Sequence, residues 1–160
     1  MNCKKMNLRN NYNSTLTMVN YKEMIILIAE DDDGHAELIR EGLEESGVSN
    51  KIIRFSNGEE VWEFLSNNGD KVVRDKNKNY LLLLDINMPK MDGVEVLKRI
   101  KADEELKEIP VVMLTTTDDP REVDACYKMG CNIYITKPVD FIKFAETLKR
   151  LSLFIQIVKI

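Results

Sequence analysis

The sequence predicts an α/β domain: a doubly wound, five-stranded parallel sheet in the order 2-1-3-4-5, with helices on both faces. Three observations predict it. From Met24 onward, short apolar runs alternate with amphipathic stretches of helical period. The runs are apolar throughout rather than at every second residue, so both faces of the sheet must be covered, as in parallel sheets built from strand–helix–strand units. Charged residues then stand at the carboxyl ends of three runs: Glu30 and Asp31 after the first, Asp85 after the third and Lys137 after the fifth. Open sheets of this kind collect their ligands and reacting groups there, where the winding direction switches between the first and third strands.

Residues 1–23 carry Asn2, Asn7, Asn10, Asn11, Asn13 and Asn20 without sustained periodicity and read as a tail, either disordered or packed locally. The first strand runs from Met24 to Ala29, and the helix after it stops at Gly47. Lys51 to Phe55 forms the second strand. Asn57 with Glu60 has the spacing at which a cap side chain and an acid three residues later satisfy each other's exposed backbone N–H groups. Ser66 to Asn79 is polar and charged, an extended helix end and a surface loop. Tyr80 to Leu84 is the third strand, and Asp92 with Glu95 repeats the capping spacing before a helix whose apolar face holds Val96 and Ile100. Pro110 to Leu114 is the fourth strand. Asp119-Pro120-Arg121-Glu122 opens the next helix with a proline where its missing N–H costs nothing, and Gly130 ends it. Asn132 to Thr136 is the fifth strand, and Phe141, Ala145 and Leu148 mark the apolar face of a closing helix. The domain therefore spans 24–153, followed by an apolar tail, 154–160, which either extends the last helix over the core or packs on a partner.

With 160 residues, 44% apolar and 31% charged, the chain has one domain's worth of ordinary globular composition. A net charge of −4, with no Lys/Arg cluster free of interleaved acids, removes the electrostatic case for nucleic acid. No apolar stretch approaches the roughly 20 residues that span a bilayer, and the amino-terminal segment lacks a signal peptide's apolar centre; the expected location is cytoplasmic, with no membrane contact. Cys3, Cys126 and Cys131 are odd in number and lack paired metal-ligand spacing, so they read as free thiols used for packing in a reducing compartment.

Three acids in one crevice repel each other. The simplest agent to neutralise Glu30, Asp31 and Asp85 is a hard divalent cation with oxygen ligands, helped by the Lys137 ammonium. Asp32 and Asp33 extend the acidic run and read as solvated or helix-capping residues; His35, the one histidine, reads as a first-turn surface residue. Trp62 reads as core or interface.

Several independent parts now agree: Glu30-Asp31, then Asp85, Asn87, Met88-Pro89 and Asp92-Gly93, then Thr115 ending the fourth strand, and Tyr134 before Lys137-Pro138. From Met24 to about Leu153 the chain resembles the response-regulator receiver domain of two-component signalling, a CheY-like, flavodoxin-like fold. More narrowly, Thr115-Thr116-Thr117, Tyr134 to Asp140 and the apolar carboxyl tail resemble single-domain regulators that work with bacterial phytochromes.

The resemblance implies roles. Asp85 is the phosphoacceptor. Mg²⁺ is held by Asp31, Asp85, Asn87 through its backbone carbonyl, and Glu30 through water; Lys137 and the Thr115 hydroxyl complete the shell around the transferred group. Thr115 and Tyr134 form the switch: the hydroxyl moves toward the phosphoryl oxygens and the aromatic turns inward, repacking the fourth helix, fifth strand and fifth helix. Asn87 and Thr117 occupy positions that tune hydrolysis of the acyl phosphate in relatives. The expected partners are a sensor histidine kinase, phytochrome-like on the narrower resemblance, or a histidine phosphotransfer protein. The chain ends soon after the fifth helix, so output is expected through contacts, and the apolar residues Leu151, Leu153, Phe154, Ile155, Ile157, Val158 and Ile160 favour a homodimer. The protein is then not an enzyme but a phosphoacceptor that assists its own phosphorylation and slow dephosphorylation.

Two other classes compete. A receiver-like scaffold or interaction module would never be phosphorylated and would lack Mg²⁺ affinity. An aspartyl-phosphate phosphatase would carry a second aspartate where Asn87 stands, and a flavin binder would need a glycine-rich phosphate loop after the first strand.

Overall fold

A computed structural model describes residues 24–70 and 72–157. Five strands, β1 (Ile25–Ala29), β2 (Ile52–Phe55), β3 (Tyr80–Leu84), β4 (Val111–Thr115) and β5 (Ile133–Thr136), alternate with five helices, α1 (Asp33–Glu45), α2 (Gly58–Ser66), α3 (Gly93–Ala102), α4 (Pro120–Met129) and α5 (Phe141–Ile157). All neighbouring strands are parallel, in the order β2-β1-β3-β4-β5. The expected doubly wound sheet is the observed one, with strand ends differing from the sequence reading by a residue at most. The expected tail, 1–23, lies outside the described residues, and so does Cys3.

Side chains alternate across a strand, so each strand feeds two cores. Leu27 and Ala29, Leu82 and Leu84, and Val111 and Met113 face α2, α3 and α4, meeting Val61, Leu65, Val96, Leu97, Ile100 and Cys126. Ile26 and Ile28, Leu81 and Leu83, and Val112 and Leu114 face α1 and α5, meeting Ile39, Leu43, Phe144, Leu148, Leu151 and Ile155. Each fully buried Leu or Ile is worth about 1.5–3 kcal/mol of transfer free energy, which explains why β1, β3 and β4 tolerate almost no polar residue.

The helices start where the caps were expected. Asn57 Oδ1 accepts from Glu60 N–H at 2.9 Å while the Glu60 carboxylate accepts from Ser56 N–H, and Asp92 Oδ1 accepts from Glu95 N–H at 2.8 Å. Asp119 caps α4 ahead of Pro120, and Gly130 ends it in the left-handed conformation at φ 104°. Among the described residues, no helix is long and apolar enough to cross a membrane.

The last helix buries a different face from the one the sequence suggests. Its buried stripe is Phe144, Leu148, Leu151 and Ile155, whereas Phe141 is 65% exposed and Ala145 is also exposed. Only Leu148 of the expected face is therefore in the core, because the helix axis turns the Phe144 stripe, not the Phe141 stripe, toward α1 and the sheet. The helix runs on through Ile157, so residues 154–157 extend it, which is one of the two arrangements expected for the apolar segment 154–160. Leu151 and Ile155 are covered by the protein's own core, leaving Leu153 exposed and Phe154 half-buried, so part of the apolar surface invoked for a dimer is internal. Val158 and Ile160 lie outside the described residues.

Candidate functional site

Register brings the charged strand ends together. Ala29 pairs with Leu84 across β1 and β3, and Asp85 N–H donates to Ala29 O at 3.0 Å, so Glu30 and Asp85 leave the sheet side by side. Thr115 pairs with Thr136 across β4 and β5, and Lys137 N–H donates to Thr115 O at 2.7 Å. Glu30, Asp31, Asp85 and Lys137 thus meet in one crevice at the switch point that the strand order creates, with Thr115 ending the strand beside Lys137.

Carboxylate oxygens of Glu30, Asp31 and Asp85 all lie within 4.8 Å of one another. Glu30, Asp85, Thr115 and Lys137 are buried, and Asp31 is exposed at the rim. The Lys137 ammonium donates to Glu30 Oε2 and to Asp85 Oδ2, the latter at 3.3 Å. One ammonium against three carboxylates leaves the crevice negative. Burial pushes the Glu30 carboxyl up, to about 7, against the opposing pull of Lys137. Asp85 Oδ1 is buried and has no hydrogen-bond partner among the described residues. Such an atom carries a desolvation cost unless something positive or protic meets it. Three convergent oxygen donors and an unpartnered buried carboxylate oxygen fit a hard divalent cation, which prefers this donor type.

Loop geometry sets the aim of Asp85. Gly93 N–H donates to Ile86 O at 2.8 Å, folding the turn back so tightly that a Cβ on Gly93 would lie 2.0 Å from Asp85 O. Glycine is required there by the close approach of two backbones.

A second set of residues links the crevice to β5. Asn87 Nδ2 donates to Thr117 Oγ1 at 3.3 Å, Thr117 N–H reaches Thr115 Oγ1 at 3.5 Å, and the Tyr134 hydroxyl donates to Thr117 O at 2.7 Å. Tyr134 is half-buried, and burial pushes its phenol up to about 12. Asn87 itself is exposed, in the same loop as Asp85.

Around this centre, Asp32 caps α1, accepting from His35 N–H at 2.8 Å. Asp33 is an exposed first-turn acid, and His35 is part-exposed with Nδ1 3.9 Å from Glu30 Oε1. Trp62 packs partly buried on the core with the Arg99 guanidinium 5.6 Å from its ring centroid. Cys126 and Cys131 are buried free thiols; burial raises both, Cys131 to about 11, which makes them poor nucleophiles.

The sequence reading passed over Arg54. It stands in the otherwise apolar β2 segment Ile52-Ile53-Arg54-Phe55, and its guanidinium reaches the backbone of Glu30 and Asp31. A lone cation inside an apolar strand was the available signal.

The family model for the response regulator receiver domain matches residues 26–149. Response regulator Rcp1 of Synechocystis sp. is 38% identical over 113 residues, covering 71% of this chain and 76% of that protein. The Mn²⁺-bound form of Rcp1 superposes with a TM-score of 0.76 at 34% identity, over 84% of this chain and 96% of that one. A receiver domain from Rhodospirillum rubrum gives a TM-score of 0.78 at 42% identity, over 84% and 94%. The phosphorylated cyanobacterial phytochrome response regulator RcpA gives 0.74 at 33% identity, over 83% and 94%. With its sheet order, its crevice and these likenesses in agreement, the chain belongs to the response regulator receiver domain family of two-component systems.

Proposed function

We propose that Asp85 accepts a phosphoryl group from a histidine donor on a sensor kinase or phosphotransfer protein, in a Mg²⁺-dependent reaction. The observation that carries this reading is the buried Asp85 carboxylate, with one oxygen on Lys137 and the other unpartnered among the described residues, beside Glu30 and Asp31. Asp31, Asp85, the Asn87 carbonyl and Glu30 would hold the ion, whose role is to offset negative charge on the carboxylates and on the transferred group.

The chain's own residues perform the rest. A carboxylate oxygen of Asp85 forms the new O–P bond as the donor's N–P bond breaks, and the imidazole leaves with the bonding electron pair. Lys137 balances charge that builds on the phosphoryl oxygens, and the Thr115 hydroxyl donates to one of them afterwards. Asp85 carries the group once per cycle, so the protein is a signalling phosphoacceptor rather than a turnover enzyme. Asn87 and Thr117, bonded to each other beside Asp85, bear on how fast water removes the group.

Thr115, Thr117 and Tyr134 form the readout. Movement of the Thr115 hydroxyl alters its contact with the Thr117 amide, and the Tyr134 hydroxyl hangs on the Thr117 carbonyl, so the α4–β5–α5 face senses the charge on Asp85. Likeness to RcpA, a phytochrome response regulator by its name, supports a phytochrome-linked kinase as the partner type. Homodimerisation through this face rests on exposed Tyr127 and Leu153 and half-buried Phe154. A scaffold that is never phosphorylated has no use for a buried lysine and buried acids, whose desolvation costs stability.

The test is intact-mass measurement after incubation with Mg²⁺ and acetyl phosphate. The wild type is expected to gain one phosphoryl group and Asp85→Asn none. No gain in the wild type, or an equal gain in the variant, overturns the reading.

A further inference from the structure

Arg54 occupies β2, the edge strand beside β1, and its guanidinium turns toward the β1–α1 junction. Nε and one terminal nitrogen donate to Glu30 O at 3.0 and 2.9 Å; that terminal nitrogen also reaches Asp31 O at 3.2 Å. The other terminal nitrogen meets Asp33 Oδ1 at 2.6 Å. Glu30 N–H in turn donates to Phe55 O at 3.0 Å, so the strand that carries Arg54 holds residue 30 by both its N–H and its carbonyl.

We propose that Arg54 is a positioning residue for the divalent-cation site: one planar cation clamps the carbonyls of Glu30 and Asp31 and so sets where their side chains enter the crevice. This rests on the metal reading above. The guanidinium suits the task because its donors are fixed in a plane and bond several acceptors at once, whereas an ammonium is a single point donor.

Two physical effects of opposite sign make the proposal testable. A cation near three acids opposes a second cation, so if Arg54 acted through charge alone, removing it would tighten Mg²⁺ binding. If it acts as a clamp, removing it loosens the two residues that carry ligands and weakens binding; loss of such supporting partners typically costs roughly 10–100-fold in metal affinity. Arg54→Gln removes both charge and fork. Arg54→Lys keeps the charge and loses the fork. Asp33→Asn removes the exposed ion pair and leaves the carbonyl clamp in place.

The experiment is calorimetric titration of the full chain with Mg²⁺, alongside phosphorylation rates from acetyl phosphate at varied Mg²⁺ and thermal unfolding in chelator. Both Arg54 variants are expected to bind Mg²⁺ about tenfold more weakly, to need proportionately more Mg²⁺ for half-maximal phosphorylation, and to keep a near wild-type rate at saturating Mg²⁺. Asp33→Asn is expected to behave as wild type. Unchanged or tighter binding in Arg54→Gln, wild-type affinity in Arg54→Lys, or an equal loss in Asp33→Asn overturns the clamp while leaving the metal reading intact. A wild type that binds no Mg²⁺ overturns both.

Discussion

Lys137 and Asp85, 52 residues apart in the chain, meet at 3.3 Å with both side chains buried, and the same ammonium also serves Glu30. A single cation shared by two buried carboxylates is stable only while it is present, since removing one partner leaves uncompensated charge away from water.

Lys137→Met is therefore expected to lower the stability of the metal-free protein by about 3 kcal/mol. The loss should be larger at mildly alkaline than at mildly acidic pH, where the Glu30 carboxyl holds a proton, and Mg²⁺ should restore part of it. Urea unfolding in chelator and in Mg²⁺ measures this. A variant with the wild-type midpoint in chelator would show that the ammonium contributes no net stability.

The Glu30 carboxyl predicts a pH dependence. Burial raises it to about 7, so between the ordinary carboxyl range and that value the folded, metal-free state holds a proton that the unfolded state has lost. The associated stability is fully present below the ordinary range and is lost as pH rises through about 7. Binding of Mg²⁺ runs the other way, because it needs the ionised form: affinity should climb with pH by up to about tenfold per unit for one proton and flatten above that point. Glu30→Gln should remove both trends. Calorimetry and urea unfolding across this window check it, and a pH-independent wild type would contradict the assignment to Glu30.

Gly93→Ala is expected to cost about 3 kcal/mol, the upper end for forcing atoms into a packed site, because the new Cβ would meet Asp85 backbone rather than a movable side chain. Since the displaced group is the peptide of Asp85, the proposed phosphoacceptor, phosphoryl incorporation should fall with stability. Thermal unfolding and intact mass together report both losses. A stable variant that fails only in phosphorylation would mean the turn yields and Asp85 is re-aimed.

That Glu30, Asp31, Asp85, Thr115 and Lys137 share one end of one sheet was determined by the sequence alone. Glu30, Asp31, Asp85, Thr115 and Lys137 each follow or end an apolar run, and the caps at Asn57, Asp92 and Asp119 depend on neighbours within three residues. Such signals are local and can be read along the chain. Tertiary structure alone decided that Phe144 and Ile155, not Phe141 and Ala145, cover the sheet, because adjacent stripes of an amphipathic helix have the same period and only packing selects between them. It also decided that Tyr134 hangs on the Thr117 carbonyl and that Arg54 reaches across from a neighbouring strand to the backbone of the acidic pair. Those contacts join residues distant in sequence through backbone atoms, which every residue possesses and no sequence pattern distinguishes.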